Sequence, residues 1–176
     1  ILALWVAAPV ITWWLSLPLQ RRETRLSAAQ ALSLRKSARK TWGVFDNFFG
    51  AEDNWLPPDN FQEDPKPVVA HRTSPTNIGL YLLSIVSARD FGWLGILDTL
   101  DRLEATLATM RRLERFRGHF YNWYDTGALR PLEPRYVSTV DSGNLAAHLL
   151  ALGSACRGAV DSPLLDRHVF AGIEDA

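Results

Sequence analysis

The sequence predicts an all-α fold: part of an α/α toroid, preceded by a transmembrane helix. Three observations carry this. The first nineteen residues hold no charge and run into a group of arginines. Two later segments, each opened by serine and threonine, are apolar almost all round. One amphipathic helix lies between those two, so a buried helix, a half-exposed helix and another buried helix follow in order.

The leading run is ILALWVAAPVITWWLSLPL, residues 1–19. Its length is about that needed to cross a bilayer as a helix. QRRETR follows, and Arg21, Arg22 and Arg25 place the end of a spanning helix on the cytoplasmic side. Pro9 is tolerated in a membrane helix, and Trp13 and Trp14 suit the interface. No basic stretch precedes the run and no cleavage site is clear, so it is not a complete signal peptide. The alternative is a buried helix of a soluble protein. The chain starts at Ile1 and is expected to be a fragment.

Residues 20–67 form the second region. From Ser27 to Phe49, apolar positions including Ala31, Ala38, Trp42, Phe45 and Phe49 recur at helical spacing. Arg35, Lys36, Arg39 and Lys40 occupy the other face, to be solvated or laid against anionic headgroups. GAEDNWLPPDNFQEDPKP follows, with four prolines and five acids. This reads as an extended loop, pinned by Trp55 and Phe61.

Residues 68–176 form the third region, an unclosed toroid. Ser74 or Thr73 before Pro75 starts a helix whose Ile78, Leu80, Leu82, Leu83, Ile85 and Val86 leave almost no polar face, so it is buried. Trp93–Arg115 is amphipathic, with Leu97, Leu100, Leu103, Leu107, Met110 and Leu113 inward and Asp101, Arg102, Glu104, Arg111, Arg112 and Glu114 outward. The buried pattern then recurs from Val137 to Ala155. Asn77 matches Asn144, Leu82 matches Leu149 and Ser87 matches Ser154, at one constant offset. Two inner helices separated by an outer helix and a long loop describe consecutive turns of a toroid, with the cleft where inner helices begin. An unclosed toroid exposes inner-helix faces and is expected to fold poorly alone.

Composition narrows the function. Nineteen basic and nineteen acidic residues cancel, so no overall charge draws the chain to nucleic acid. Cys156 is the only cysteine, which excludes an intrachain disulfide framework and a cysteine-rich zinc site. The four histidines are scattered, and no phosphate loop, paired metal-histidine motif or nucleophile elbow occurs. No metal is expected. Seven tryptophans suit a core, a membrane interface or a sugar cleft.

GHFYNWYDTGALRPLEPRY, residues 118–136, joins the outer helix to the next inner helix, at the cleft rim. FYNWY predicts a short hairpin. Strand alternation puts Tyr121, Trp123 and Asp125 on one side, where flat faces and hydrogen-bonding groups suit a sugar. Alternatively the rings fill the interior and Asp125 caps a turn. Asp141 has the same ambiguity: with Ser138, Thr139, Ser142 and Asn144 it either caps a helix or lines a polyhydroxyl site. Arg72, Thr76 and Asn77 occupy the matching rim position one repeat earlier.

RTSPTNIGLYLLSIVSARDFGWLG, GHFYNWYDT, LEPRYVSTVDSGNLAAHLLAL, TWGVFDNFF and NWLPPDN, together spanning about residues 35–155, resemble the bacterial cyclic β-1,2-glucan synthases. These are large multidomain glycosyltransferases of the inner membrane. The resemblance places this stretch at the start of their glucoamylase-like region, an (α/α)6 toroid related to β-1,2-glucanases and associated with cyclising linear glucan by transglycosylation. It implies β-1,2-glucan, the remaining domains of one polypeptide and the inner membrane as partners, with the globular part cytoplasmic. Neighbouring domains would use UDP-glucose and trim chains by phosphorolysis; no cofactor is expected in this segment. A retaining transglycosylase needs two carboxylates about 5 Å apart. Asp125 and Asp141 are the candidates here, with Glu133 weaker, and the main pair is expected beyond Ala176. A non-catalytic helical module that binds glucan or docks domains is the alternative, and a soluble phosphorylase-linked enzyme a third.

Overall fold

The computed structural model describes residues 2–17, 25–163 and 167–175. They fall into two compact units, Ile1–Leu34 and Arg35–Ala176. Arg21 and Arg22 lie outside the described residues.

The first unit holds helix α1 (Leu2–Ser16) and the opening turns of α2 (Ala28–Phe48). The expected nineteen-residue spanning helix is corrected to fifteen residues. At 1.5 Å per residue that is about 22 Å, against a hydrocarbon core of about 30 Å. No helix among the described residues is long and apolar enough to cross a membrane. The helix ends where it does because Pro18 biases Leu17 out of helical conformation. Trp5, Trp13 and Trp14 are exposed along it. The start of α2 is a capping box: the Ser27 amide donates to the Gln30 side chain, and the Gln30 amide donates back to the Ser27 hydroxyl.

The second unit is helical, with α3 (Pro75–Asp90), α4 (Ile96–Arg112), α5 (Thr139–Val160) and α6 (Arg167–Glu174). Three antiparallel ribbons pair β1 (Phe61–Gln62) with β2 (Val68–Val69), β3 (Arg72–Thr73) with β6 (Tyr124–Asp125), and β4 (Arg115–Phe116) with β5 (His119–Phe120). Ser74 caps α3 and Ser138 caps α5, each hydroxyl accepting from an amide in the first turn. These two helices pack chiefly on each other, and α4 lies against α3. Gly79 makes the close approach possible, since a Cβ there would run into the His148 side chain. Ile78, Tyr81, Leu82 and Ile85 of α3 are fully buried, with Leu56 of the proline-rich loop among them. Phe45 of α2 and Phe49 just after it pack on Tyr81. The caps equate Asn77 with Asp141, so the two inner helices start about one turn out of the register that the matched asparagines suggest.

Several details depart from the sequence reading. Helix α4 starts at Ile96 and keeps the lower part of the leucine stripe, with Leu103, Met110 and Leu113 buried, but Leu97 is 73% and Leu100 45% exposed, while Thr99, Thr106 and Thr109 are buried. Threonine can be buried there because its hydroxyl finds backbone oxygens. Thr106 donates to the carbonyls of Trp55 and Arg102, and Thr109 to that of Asn54. Arg102, expected outward, pairs with Asp46 at 2.8 Å and lies over Trp42. Arg35 and Arg39 are not simply solvated either: both pack on the Trp93 ring, and Arg35 pairs with Asp175. In the proline-rich loop Leu56 is the deepest anchor, and Phe61 stacks on Phe48 at 4.4 Å. Helix α5 buries only Leu145 and Leu152, and exposes Val140, Leu150 and Val160.

Candidate functional site

The 118–136 loop does not fold as a hairpin within FYNWY. β5 turns back on β4 through Arg117 and Gly118, both at positive φ, and β6 crosses to β3 in the register Arg72 with Asp125 and Thr73 with Tyr124. Between them the chain alternates. Asn122, Tyr124 and Thr126 are buried, while Tyr121, Trp123 and Asp125 are half-buried on the opposite phase.

The buried phase anchors the loop. Tyr124 donates from its hydroxyl to the Glu114 carbonyl at 2.7 Å and accepts from the Tyr121 amide at 2.7 Å. Burial pushes its phenol up to about 12. Thr126 donates to the carboxylate of Asp53, which is itself buried and also bonded to His71 at 2.8 Å.

The half-buried phase meets the start of α3. The Arg72 guanidinium lies 5.0 Å from the centre of the Trp123 ring. It also donates twice to Oδ2 of Asp59, at 3.0 and 3.2 Å, and the Asn77 amide donates to Oδ1 of the same carboxylate at 3.1 Å. A single aspartate thus holds two rim side chains in place.

The starts of α3 and α5 are joined directly. Thr76 donates to Oδ1 of Asp141 at 2.7 Å and accepts from the Asn144 amide at 3.1 Å. Asn122 completes the network. Its amide nitrogen donates to Oδ2 of Asp141 at 2.9 Å, and its oxygen accepts from the Trp123 indole at 2.8 Å and the Tyr136 hydroxyl at 2.7 Å. The amide orientation follows from these partners, because it is the one that satisfies all three.

The structure therefore brings Arg72, Thr76, Asn77, Trp123, Asp141 and Asn144 into one polar rim. Tyr121 adjoins it through the edge of Tyr124. Thr139 is exposed in the first turn of α5. Ser142 turns its hydroxyl inward, where it is buried without a partner. Asp125 pairs across from Arg72, but its Oδ1 accepts from the Ala128 amide at 2.6 Å and so closes a turn. Asp141 is not the cap of α5, a role taken by Ser138; its carboxylate reaches across to α3 and the loop. Glu133 is exposed and pairs with Arg135. No group of histidine, cysteine, aspartate and glutamate able to hold a metal occurs among the described residues.

Sequence reading missed Asp59 and Tyr136, and took Asn122 only as one of the loop's hydrogen-bonding side chains. The Pro57-Pro58-Asp59-Asn60 turn does stand inside one of the motifs that carry the family resemblance. Asn122 and Tyr136 lie in two others, but nothing in their local pattern sets them apart from neighbouring loop residues.

No family model matches the chain. Over 161 residues it is 53% identical to the cyclic beta-(1,2)-glucan synthase NdvB of Rhizobium meliloti (strain 1021). That alignment covers 91% of this chain and 6% of the synthase, so the chain spans a small fraction of its relative's length. A glucoamylase-like protein from Bacteroides fragilis NCTC 9343 superposes with a TM-score of 0.58 at 17% identity, covering 89% of this chain and 37% of that one. This second likeness concerns the fold alone. The resemblance carried by the motifs is thereby shown: the chain matches a short segment of a cyclic β-1,2-glucan synthase, and the chain itself has a glucoamylase-like, mainly helical fold.

Proposed function

We propose that this segment supplies part of the β-1,2-glucan-binding cleft in the cyclising, glycoside-hydrolase-like domain of a cyclic β-1,2-glucan synthase. The observation that supports this most is the rim itself. Trp123 offers a half-buried ring between Arg72 and Asn122, and amide, hydroxyl and carboxylate groups from the starts of two adjacent helices surround it. A sugar has C–H faces for the ring and hydroxyls for those groups. The segment binds and positions. The bond-breaking carboxylates and the use of UDP-glucose belong to other parts of the longer polypeptide. Association with the inner membrane, with the globular part cytoplasmic, is part of the same proposal and rests on the uncharged run followed by arginines.

A non-catalytic glucan-binding or domain-docking module is the second reading. It is favoured by one observation: Asp125 and Asp141 both spend their carboxylates on protein hydrogen bonds. The test is Trp123→Ala and Arg72→Ala in the full-length synthase. Both should lower cyclic glucan while transfer from UDP-glucose persists. Undiminished cyclisation in both variants rejects the assignment of the rim.

A further inference from the structure

Asp59 belongs to a second neighbourhood. Besides holding Arg72 and Asn77, it lines a cavity of about 190 Å³ together with Phe48, Phe49, Phe61, Asn60 and Asn77. Phe48 and Phe61 are stacked with 23° between their planes and are both half-buried, giving an aromatic wall. The polar edge is formed by acceptors. The amide nitrogens of Asn60 and Asn77 both donate to Asp59, at 3.0 and 3.1 Å. Their amide oxygens take no hydrogen bond from the described residues.

We propose that this cavity is a second glucan subsite, for one hexose ring, adjoining the Trp123 rim through Asp59. The proposal rests on the reading of the rim as a glucan site. A hexose presents C–H groups to the phenylalanine wall and hydroxyl protons to the oxygens of Asn60, Asn77 and Asp59. The volume suits a single ring, since drug-sized ligands occupy roughly 300–1,000 Å³. A purely apolar occupant fits the wall equally well but offers no proton to the Asn60 and Asn77 amide oxygens and shields the half-buried Asn77 from water, a cost that a hydroxyl-bearing ring does not incur. Because Asp59 is shared, a chain lying on Trp123 is led past the Arg72–Asp59 pair to the cavity mouth.

The test measures binding of linear β-1,2-gluco-oligosaccharides of increasing length to the full-length protein by calorimetry, without UDP-glucose. Differences between variants isolate this site from any other glucan site in the polypeptide. Phe61→Ala and Asn60→Ala should each weaken the longer oligosaccharides about three- to tenfold and leave the shortest that bind unchanged. Trp123→Ala should weaken all lengths. If both cavity variants bind every length as tightly as the parent while Trp123→Ala does not, the subsite is overturned and the rim stands. If Trp123→Ala is also without effect, the rim reading fails and takes the subsite with it. Should Phe61→Ala lose its thermal unfolding transition, Asn60→Ala decides alone, because its side chain is on the surface.

Discussion

Thr76 in the first turn of α3 donates a 2.7 Å hydrogen bond to Asp141 in the first turn of α5. The two residues are far apart in sequence, and this bond ties the start of one helix to the start of the other. Asp141 also gains from its place near the positive end of α5. Thr76→Val keeps the shape and removes the hydroxyl, leaving Asp141 and Asn144 each short of a partner. Denaturant unfolding should show a loss of about 1–3 kcal/mol. Thr76→Ser should keep most of the stability. Equal midpoints for the valine variant and the parent would mean that solvent replaces the bond at no cost.

Gly79→Ala sets two effects against each other. Alanine in place of a helical glycine gains roughly 0.5–1 kcal/mol of propensity. Here, however, the new methyl meets the His148 side chain across the α3–α5 contact. Overpacking of this kind costs about 1–3 kcal/mol, so the variant should be less stable. Adding His148→Ala removes the obstruction and should recover part of the loss. A double-mutant cycle with no coupling between the two positions contradicts this account.

Tyr124 makes stability depend on alkaline pH. Its phenol is raised by burial to about 12, so the folded state holds the proton more tightly than the unfolded chain. The contribution is whole below the ordinary tyrosine value of 10.0 and disappears as pH rises through about 12. Burial raises Tyr81 as well, in the same direction. Melting temperature should therefore fall across that window. Tyr124→Phe should flatten part of the fall, while costing about 1–3 kcal/mol at neutral pH because the Tyr121 amide and Glu114 carbonyl lose their partner. A variant with the full alkaline slope assigns the effect to other groups.

Thr106 and Thr109 hold the proline-rich loop to α4 through the carbonyls of Trp55 and Asn54, two residues at positive φ. Thr109→Val should loosen that turn without unfolding the helix. Amide exchange between Asp53 and Leu56 should accelerate about fivefold to tenfold, the equivalent of one ordinary hydrogen bond of about 1 kcal/mol. Unchanged exchange there would show that Leu56 alone secures the loop.

Much of the frame was legible locally. Ser27, Ser74 and Ser138 mark helix starts because a hydroxyl at that place satisfies an otherwise unpaired amide, a rule confined to one turn of chain. The alternation that separates Trp123 from Tyr124 is equally local. Helix α4 was legible only in part: Leu103, Met110 and Leu113 are buried as the stripe implies, but the buried threonines count as polar in a hydrophobic pattern. Whether a threonine can be buried depends on a backbone carbonyl from elsewhere, and Asn54 and Trp55 supply it from the proline-rich loop. Likewise the uncharged run at the start set an apolar composition, but not a helix long enough to cross a bilayer.

The sequence by itself determined the all-helical class, the caps, the two inner helices and the family resemblance, since each depends on residue types at short, regular spacing. Only the tertiary structure decided what the rim is made of. Asp59 with Arg72 and Asn77, Thr76 with Asp141, and Asn122 with Trp123 and Tyr136 owe most of their bonds to contacts between separate elements. Such contacts are set by how helices and loops pack, and packing is a property of the whole chain that no local spacing encodes.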